Sequence, residues 1–230
     1  MTFGQLGKKI LMFVLAFYMA STGIVLLINS NLGAGPWDIF HLGLTNYVPL
    51  TMGQVGQIVG VILIFVGLLL GEKPGLGTIT NMYLIGFFID VIREYELIPH
   101  SQILWQQLLM VALGIYLFGW ATYIYLKQGM CSGPRDALMV GLIKKTGKPI
   151  WLIRTLIEGA VMLSGYLMGG PIGLGTVFFM LFVGASVQHA FKVGKVDAAK
   201  IEHQDIFETF RLLCETYKGG VGCREKKEKA

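Results

Sequence analysis

The residues best placed to do chemistry come in pairs. Gly35-Pro36-Trp37-Asp38 returns as Gly133-Pro134-Arg135-Asp136. Proline at the first helical position has no amide to leave unpaired and a preset φ. A carboxylate two residues later accepts from the free amides of the helix start or complements its dipole. Each segment therefore predicts a short helix with an acid at its positive end. Arg154 and Glu158 stand four apart, on one face of a predicted helix, where they can form an ion pair. Gly75-Leu76-Gly77-Thr78 returns unchanged as Gly173-Leu174-Gly175-Thr176. Its glycines permit a tight turn or a close helix approach. Its threonines, Thr78 and Thr176, can bond to backbone carbonyls.

Other reactive constellations are missing. The sequence holds no H-E-x-x-H, no G-x-S-x-G and no phosphate-binding loop. Its three cysteines lie far apart without metal spacing. We expect no catalytic residues, no metal and no cofactor. His41 and His189 read as hydrogen-bonded packing residues, and Asp90 with Arg93 as an interfacial pair.

The elements that must position these residues are set by composition. The chain has 230 residues, 54% apolar and only 14% charged, against about 25% charged in soluble domains. Such a chain is an integral membrane protein. A crossing needs about 20 apolar residues. Six segments qualify: 9–29, 52–71, 76–95, 102–126, 150–169 and 173–192. A seventh, Trp37 to Tyr47, is too short. The run from Ile10 to Ile28 reads as a retained first span, not a cleaved signal.

Orientation follows from the 19 Lys and Arg residues. With the N-terminus inside, only Arg93 falls outside, which predicts cytoplasmic N- and C-termini. Arg135 is counted here in the basic inner loop. Net charge of +5 arises from residues flanking apolar runs, so nucleic acid is not an expected partner.

The chain also matches itself at a constant shift of 98 residues. Besides the two motif pairs, Gly43-Leu44 meets Gly141-Leu142, Gly67 and Gly71 meet Gly165 and Gly169, and Gly86 meets Gly184. Met12, Leu15 and Tyr18 meet Met110, Leu113 and Tyr116. Each copy carries three spans, so the second must enter the membrane inverted. The predicted fold is all-α and polytopic: six transmembrane helices as two inverted three-helix repeats, each with a short GPxD helix. Repeat 1 covers 9–97, repeat 2 covers 102–195, and 196–230 form a charged cytoplasmic tail. The copies differ chemically, because Arg154 and Glu158 face Gly56 and Gly60 in the first, and Asp90 and Arg93 face Gln188 and Phe191 in the second.

Two readings of the GPxD segments stay open. In one, each helix lies capped along the interface. In the other each is a re-entrant half-helix, since the seven residues from Asn29 to Gly35 extend about 23 Å. Starts entering from opposite faces would bring Asp38 and Asp136 to a solute path, at a depth where irregular backbone survives only inside protein or beside water.

The GPWD and GPRD pair, the two GLGT motifs and Arg154 with Glu158 resemble the YczE/YyaS/YitT-type bacterial integral membrane proteins over about residues 8–192. The resemblance implies a polytopic protein of the bacterial cytoplasmic membrane and brings no substrate or reaction with it. Cys131 stands where its repeat mate is Gly33, so the approach to the second motif differs. The tail has an amphipathic stretch at Ile206, Phe210, Leu213 and Tyr217.

Two functions remain in view. The first is a small-solute transporter or channel, supported by the paired broken segments and the intramembrane charge. The second is a non-transporting assembly factor or membrane subunit of a larger complex, supported by small size and the tail. Expected partners are the lipid bilayer, a small solute, and a second copy of the chain or another membrane protein.

Overall fold

A computed structural model describes residues 3–72, 74–128 and 133–196. The charged tail from 197, its amphipathic stretch and Cys131 lie outside the described residues. Those described form eight helices and no strand: α1 (Phe3–Asn29), α2 (Pro36–Thr45), α3 (Met52–Leu69), α4 (Leu76–Glu94), α5 (Leu104–Leu126), α6 (Pro134–Thr146), α7 (Ile150–Leu167) and α8 (Leu174–Val193). The starts of α2 and α6, α3 and α7, and α4 and α8 are each 98 residues apart.

Five helices are long and apolar enough to cross a membrane: α1 from Gly7, α3, α5, α7 and α8. Their outward faces stay apolar, with Phe65 60% and Leu69 72% exposed. Only a hydrocarbon solvent makes such faces favourable over whole helices. The sixth expected span, α4, forms as a 19-residue helix. It carries Thr78, Thr80, Asn81, Asp90, Arg93 and Glu94 among its apolar residues. The short apolar segment expected at Trp37 to Tyr47 is the helix α2, which begins one residue earlier, at Pro36.

The helices pack as two groups. In one, α1 and α5 lie side by side, α4 covers α1 and α8 covers α5. Gly23 and Gly114 make that central contact close: a Cβ on either would meet the other's carbonyl oxygen at 2.7 Å. In the second group α2 packs on α7 and α6 on α3. Trp37 of α2 forms a core with Val55 and Val59 of α3, joined by Ile157 and Val161 of α7.

One end of the molecule gathers the finish of α1, the start of α3, the finish of α4 and the start of α5. Asn29 Nδ2 donates to the Ile98 carbonyl at 2.6 Å, and Ser101 N donates to the Asn29 carbonyl at 3.2 Å. Asp90 of α4 accepts from Gly53 N of α3 at 2.8 Å and from the Thr51 hydroxyl. Asp90 thus caps α3, where the sequence suggested a pair with Arg93. At the opposite end Lys144, closing α6, pairs with Glu72 after α3 at 2.7 Å.

The seams between the two groups differ. Helices α3 and α4 are tightly packed, whereas among the described residues no comparable packing joins α7 to α8.

Candidate functional site

The GPxD helices are short because each starts at a proline and ends within a few turns at a polar break. Their starts are buried. Gly35, Pro36, Trp37 and Asp38 are buried, as are Gly133 and Pro134, with Arg135 and Asp136 half-buried. Neither helix start therefore lies on the protein surface. The two starts meet: the Arg135 guanidinium sits 4.8 Å from the centre of the Trp37 ring, a cation–π contact. Arg135, counted from sequence in the basic inner loop, rests on this ring of the other GPxD helix.

A cavity of about 500 Å³ opens at this meeting point, between the two helix groups, and all eight helices contribute to its wall. Asp38, Arg135, Asp136, Arg154 and Glu158 all line it. The GPxD pair and Arg154 with Glu158, separate in sequence, are thus brought to one site. Arg135 and Glu158 both lie within electrostatic reach of Asp38.

The two aspartates have different tasks. Asp136 Oδ2 accepts from Gly133 N at 3.1 Å, closing the start of α6. Among the described residues α2 has no equivalent capping box, so Asp38 is held among charges without that bond. Arg154 is exposed and Glu158 half-buried. Among the described residues no ion pair joins these two, although they are one turn apart. Both turn into the cavity, where Glu158 faces the Asp38 and Arg135 side of the wall.

The GLGT motifs do not line the cavity; they shape helix starts. Gly75 N donates to Thr78 Oγ1 at 3.2 Å and Gly173 N to Thr176 Oγ1 at 3.4 Å, so each threonine closes its own helix start. Thr78 and Thr176 are fully buried. Gly175 N donates to the Leu32 carbonyl at 2.6 Å. Next to it Gly33, at φ +112°, lies against Gly173 N and the Thr176 hydroxyl, where a Cβ would collide. The second motif thereby seats the extended segment that leads into α2, and Gly77 occupies the equivalent position in the first.

Sequence reasoning passed over His41. It lies one turn after Asp38, is buried, lines the cavity, and its Nε2 has no hydrogen-bond partner. Its repeat mate Met139 lines the same cavity. The three-residue step from Asp38 to His41 was the available signal. No group of three or more His, Cys, Asp or Glu among the described residues is arranged to hold a metal.

The profile of the "Family of unknown function (DUF6198)" matches residues 7–192. The chain belongs to this family. It is 34% identical over 164 residues to the uncharacterised membrane protein YczE of Bacillus subtilis, covering 70% of this chain and 75% of that one. An uncharacterised protein of Haemophilus influenzae is 32% identical over 180 residues, covering 78% and 81%. YyaS of Bacillus subtilis is 28% identical over 185 residues, covering 80% and 92%. No solved structure matches the chain. The family match spans all eight helices, so the cavity and every residue named in its wall lie within the shared part.

Proposed function

We propose that this family member is a small-solute transporter or channel, built as two inverted three-span repeats with both termini in the cytoplasm, and that it carries out no covalent chemistry. The observation that carries this reading is the meeting of the two GPxD starts, Arg135 over Trp37, at a charged cavity shared by both helix groups. Half-helices ending at a site between repeats are a recurring device of transporters. Free amides of α2 beside a cavity, and the irregular backbone before them, are tolerable at depth only there.

Helix α4 is the sixth span in this reading. Its finish lies beside the finish of α1 and the start of α3, through the Ile98–Asn29 and Asp90–Gly53 bonds. Its start follows the far end of α3 after a short turn. It must therefore return across whatever thickness α3 crosses, and its polar residues are borne by packing on α1 and α3. Single cysteines at Tyr47, His100 and Lys148, all exposed apart from the packed helices, test this. We expect labelling from outside at 47 and 100 but not at 148. Inside labelling at 100 would remove α4 as a span.

The function itself is tested by flux of small charged and polar solutes in sealed proteoliposomes. Flux that Asp38→Asn abolishes, with folding intact, supports transport. A stable stoichiometric membrane partner and no flux would favour the assembly-factor reading.

A further inference from the structure

The open seam between α7 and α8 gives the cavity a second character. In the first half the equivalent seam is closed by three devices. Asp90 bonds across it to Thr51 and Gly53. Gln57 Nε2 donates to the Tyr83 carbonyl at 3.0 Å. Gly53 and Gly86 bring the backbones into contact, so that a Cβ on Gly86 would lie 2.7 Å from the Gly53 oxygen. In the second half the same positions hold Gln188, Pro149, Trp151, Thr155 and Leu181. Gly184, the mate of Gly86, faces open space, with nothing within 4 Å of a Cβ built there.

Glu158 and Ile157 of α7 and Val183, Gly184 and Val187 of α8 all line the cavity. The cavity wall thus runs along the loosely packed gap between these two helices. At the positions whose mates face the closed seam the side chains are apolar and open: Trp151 on α7 is 68% exposed and Leu181 on α8 is 66% exposed. Such side chains meet acyl chains, not water. Inward from them the wall becomes charged, with three carboxylates, Asp38, Asp136 and Glu158, against two guanidinium groups, Arg135 and Arg154. Of these, Arg135 already rests on Trp37 and Asp136 already serves Gly133. Asp38 and Glu158 face the cavity, with Arg135 in electrostatic reach of Asp38. Beside them is the buried His41, whose Nε2 has no hydrogen-bond partner among the described residues. The wall thus carries one carboxylate more than its two guanidinium groups balance.

We propose that the substrate is a cationic amphiphile, a protonated amine or quaternary ammonium carrying an apolar body, which enters sideways between α7 and α8. Its charged head sits between Asp38 and Glu158, and its apolar body lies along Ile157, Val183 and Val187. This deepens the transport reading and rests on it. A head without a body gains only the electrostatic part. An anion of the same shape meets the net negative wall.

The full chain in lipid nanodiscs tests this by ligand-induced shifts in unfolding temperature, with alkyltrimethylammonium ions as probes from tetramethyl through hexyl to decyl, and decyl sulfate as the anionic counterpart. Partition into lipid is common to all variants and cancels between them. We expect apparent affinity to rise with chain length for the cations, and Asp38→Asn and Glu158→Gln each to weaken it by about tenfold or more. Gly184→Phe, which fills the open seam, should flatten the chain-length dependence while the unliganded protein still unfolds cooperatively. Equal response to decyl sulfate, or a chain-length series that is flat in the unmodified protein, overturns the proposal. So does ready disulfide linkage of Gly184→Cys between two copies in the membrane, which would mean that a second chain covers the seam. Chain-length-dependent binding without flux keeps the site and overturns transport, whereas flux of small ions with a flat series keeps transport and overturns the amphiphile.

Discussion

The α3–α4 seam and the α7–α8 seam occupy equivalent places in the two halves, yet one is shut and the other open. The helices on both sides begin at the same repeat positions, yet their backbones lie close together in the first half and apart in the second, and the side chains at the seam differ accordingly. Asp90, Gly53 and Gln57 close the first seam. Pro149 offers no hydroxyl, Trp151 is too large for close contact, and Gln188 is exposed. The two seams share equivalent helix starts and the Gly86–Gly184 pair, but Gly53, Gly56 and Gly60 correspond to Trp151, Arg154 and Glu158, and the fasteners of the first seam have no counterpart in the second. The two helix groups are thereby joined firmly along one edge and loosely along the other. In the proposed transport cycle the loose edge is where a rocking or gating motion would act.

The comparison breaks most sharply at its two glycines. Gly86→Leu must push a side chain into the Gly53 carbonyl at 2.7 Å and the Gln57 side chain. We expect a loss of about 3 kcal/mol or more, seen as little monodisperse protein after extraction. Gly184→Leu, at the same repeat position, meets nothing within 4 Å and should give normal yield and unfolding temperature. Similar damage from both would mean that the second seam closes in the membrane.

The next effect separates the two aspartates. Asp38 lines the cavity without capping α2, whereas Asp136 closes its own helix start. Asp38→Asn should reduce proteoliposome flux by about tenfold or more. Asp136→Asn keeps an accepting oxygen for Gly133 N and should leave most of it. Asp136→Ala removes that oxygen and should lower stability by about 1 kcal/mol. Equal loss of flux from the two Asn variants would restore the chemical symmetry that the motif pair suggests.

A smaller effect belongs to the fastener itself. Asp90→Ala leaves the Gly53 amide and the Thr51 hydroxyl without their shared acceptor, at a cost of about 1–3 kcal/mol. Gln188→Ala, its mate on an exposed face, should stay within about 0.5 kcal/mol. Urea or thermal unfolding in one detergent compares the two directly.

Much of this was legible in the sequence. The apolar runs locate the helices, and proline after glycine marks the starts of α2 and α6 because a helix beginning loses nothing by lacking that amide. The shift of 98 residues gives the equivalences between halves. What escaped depends on partners far away in the chain. Asp90 reads as a mate for Arg93 when only neighbours are visible, and its real partners lie 37 and 39 residues away. Arg154 and Glu158 read as a pair from their spacing, which cannot reveal a cavity that draws both. His41 looks like packing until the burial of its unpartnered nitrogen is known. Both α3 and α7 are long and apolar enough to cross a membrane, and that property does not announce that one packs on its successor and the other does not.

The finest contrast lies at the ends of the GPxD helices, where equivalent positions perform one task with different chemistry. Asn46 after α2 donates to the Met168 carbonyl at the end of α7, at 2.9 Å. Its mate Lys144 on α6 pairs with Glu72 after α3, at 2.7 Å. Each ties a short helix to the finish of the long helix beneath it. The amide–carbonyl bond is short-ranged and neutral, so Asn46→Ala should cost about 0.5–1 kcal/mol at any ionic strength. The ion pair has one partner in solvent, with Lys144 65% exposed and Glu72 only 16%. Exposure of the lysine discounts its value to below about 1 kcal/mol, and salt screens it further. Lys144→Ala should therefore lower the unfolding temperature slightly in dilute buffer and not measurably in about 1 M salt, where the Debye length falls to about 3 Å. A salt-independent loss at Lys144 would mean that its stem packs on α3 and that charge contributes little. A salt-dependent loss at Asn46 would mean that its contact to α7 is not the amide bond described, and the two ties would no longer be equivalent.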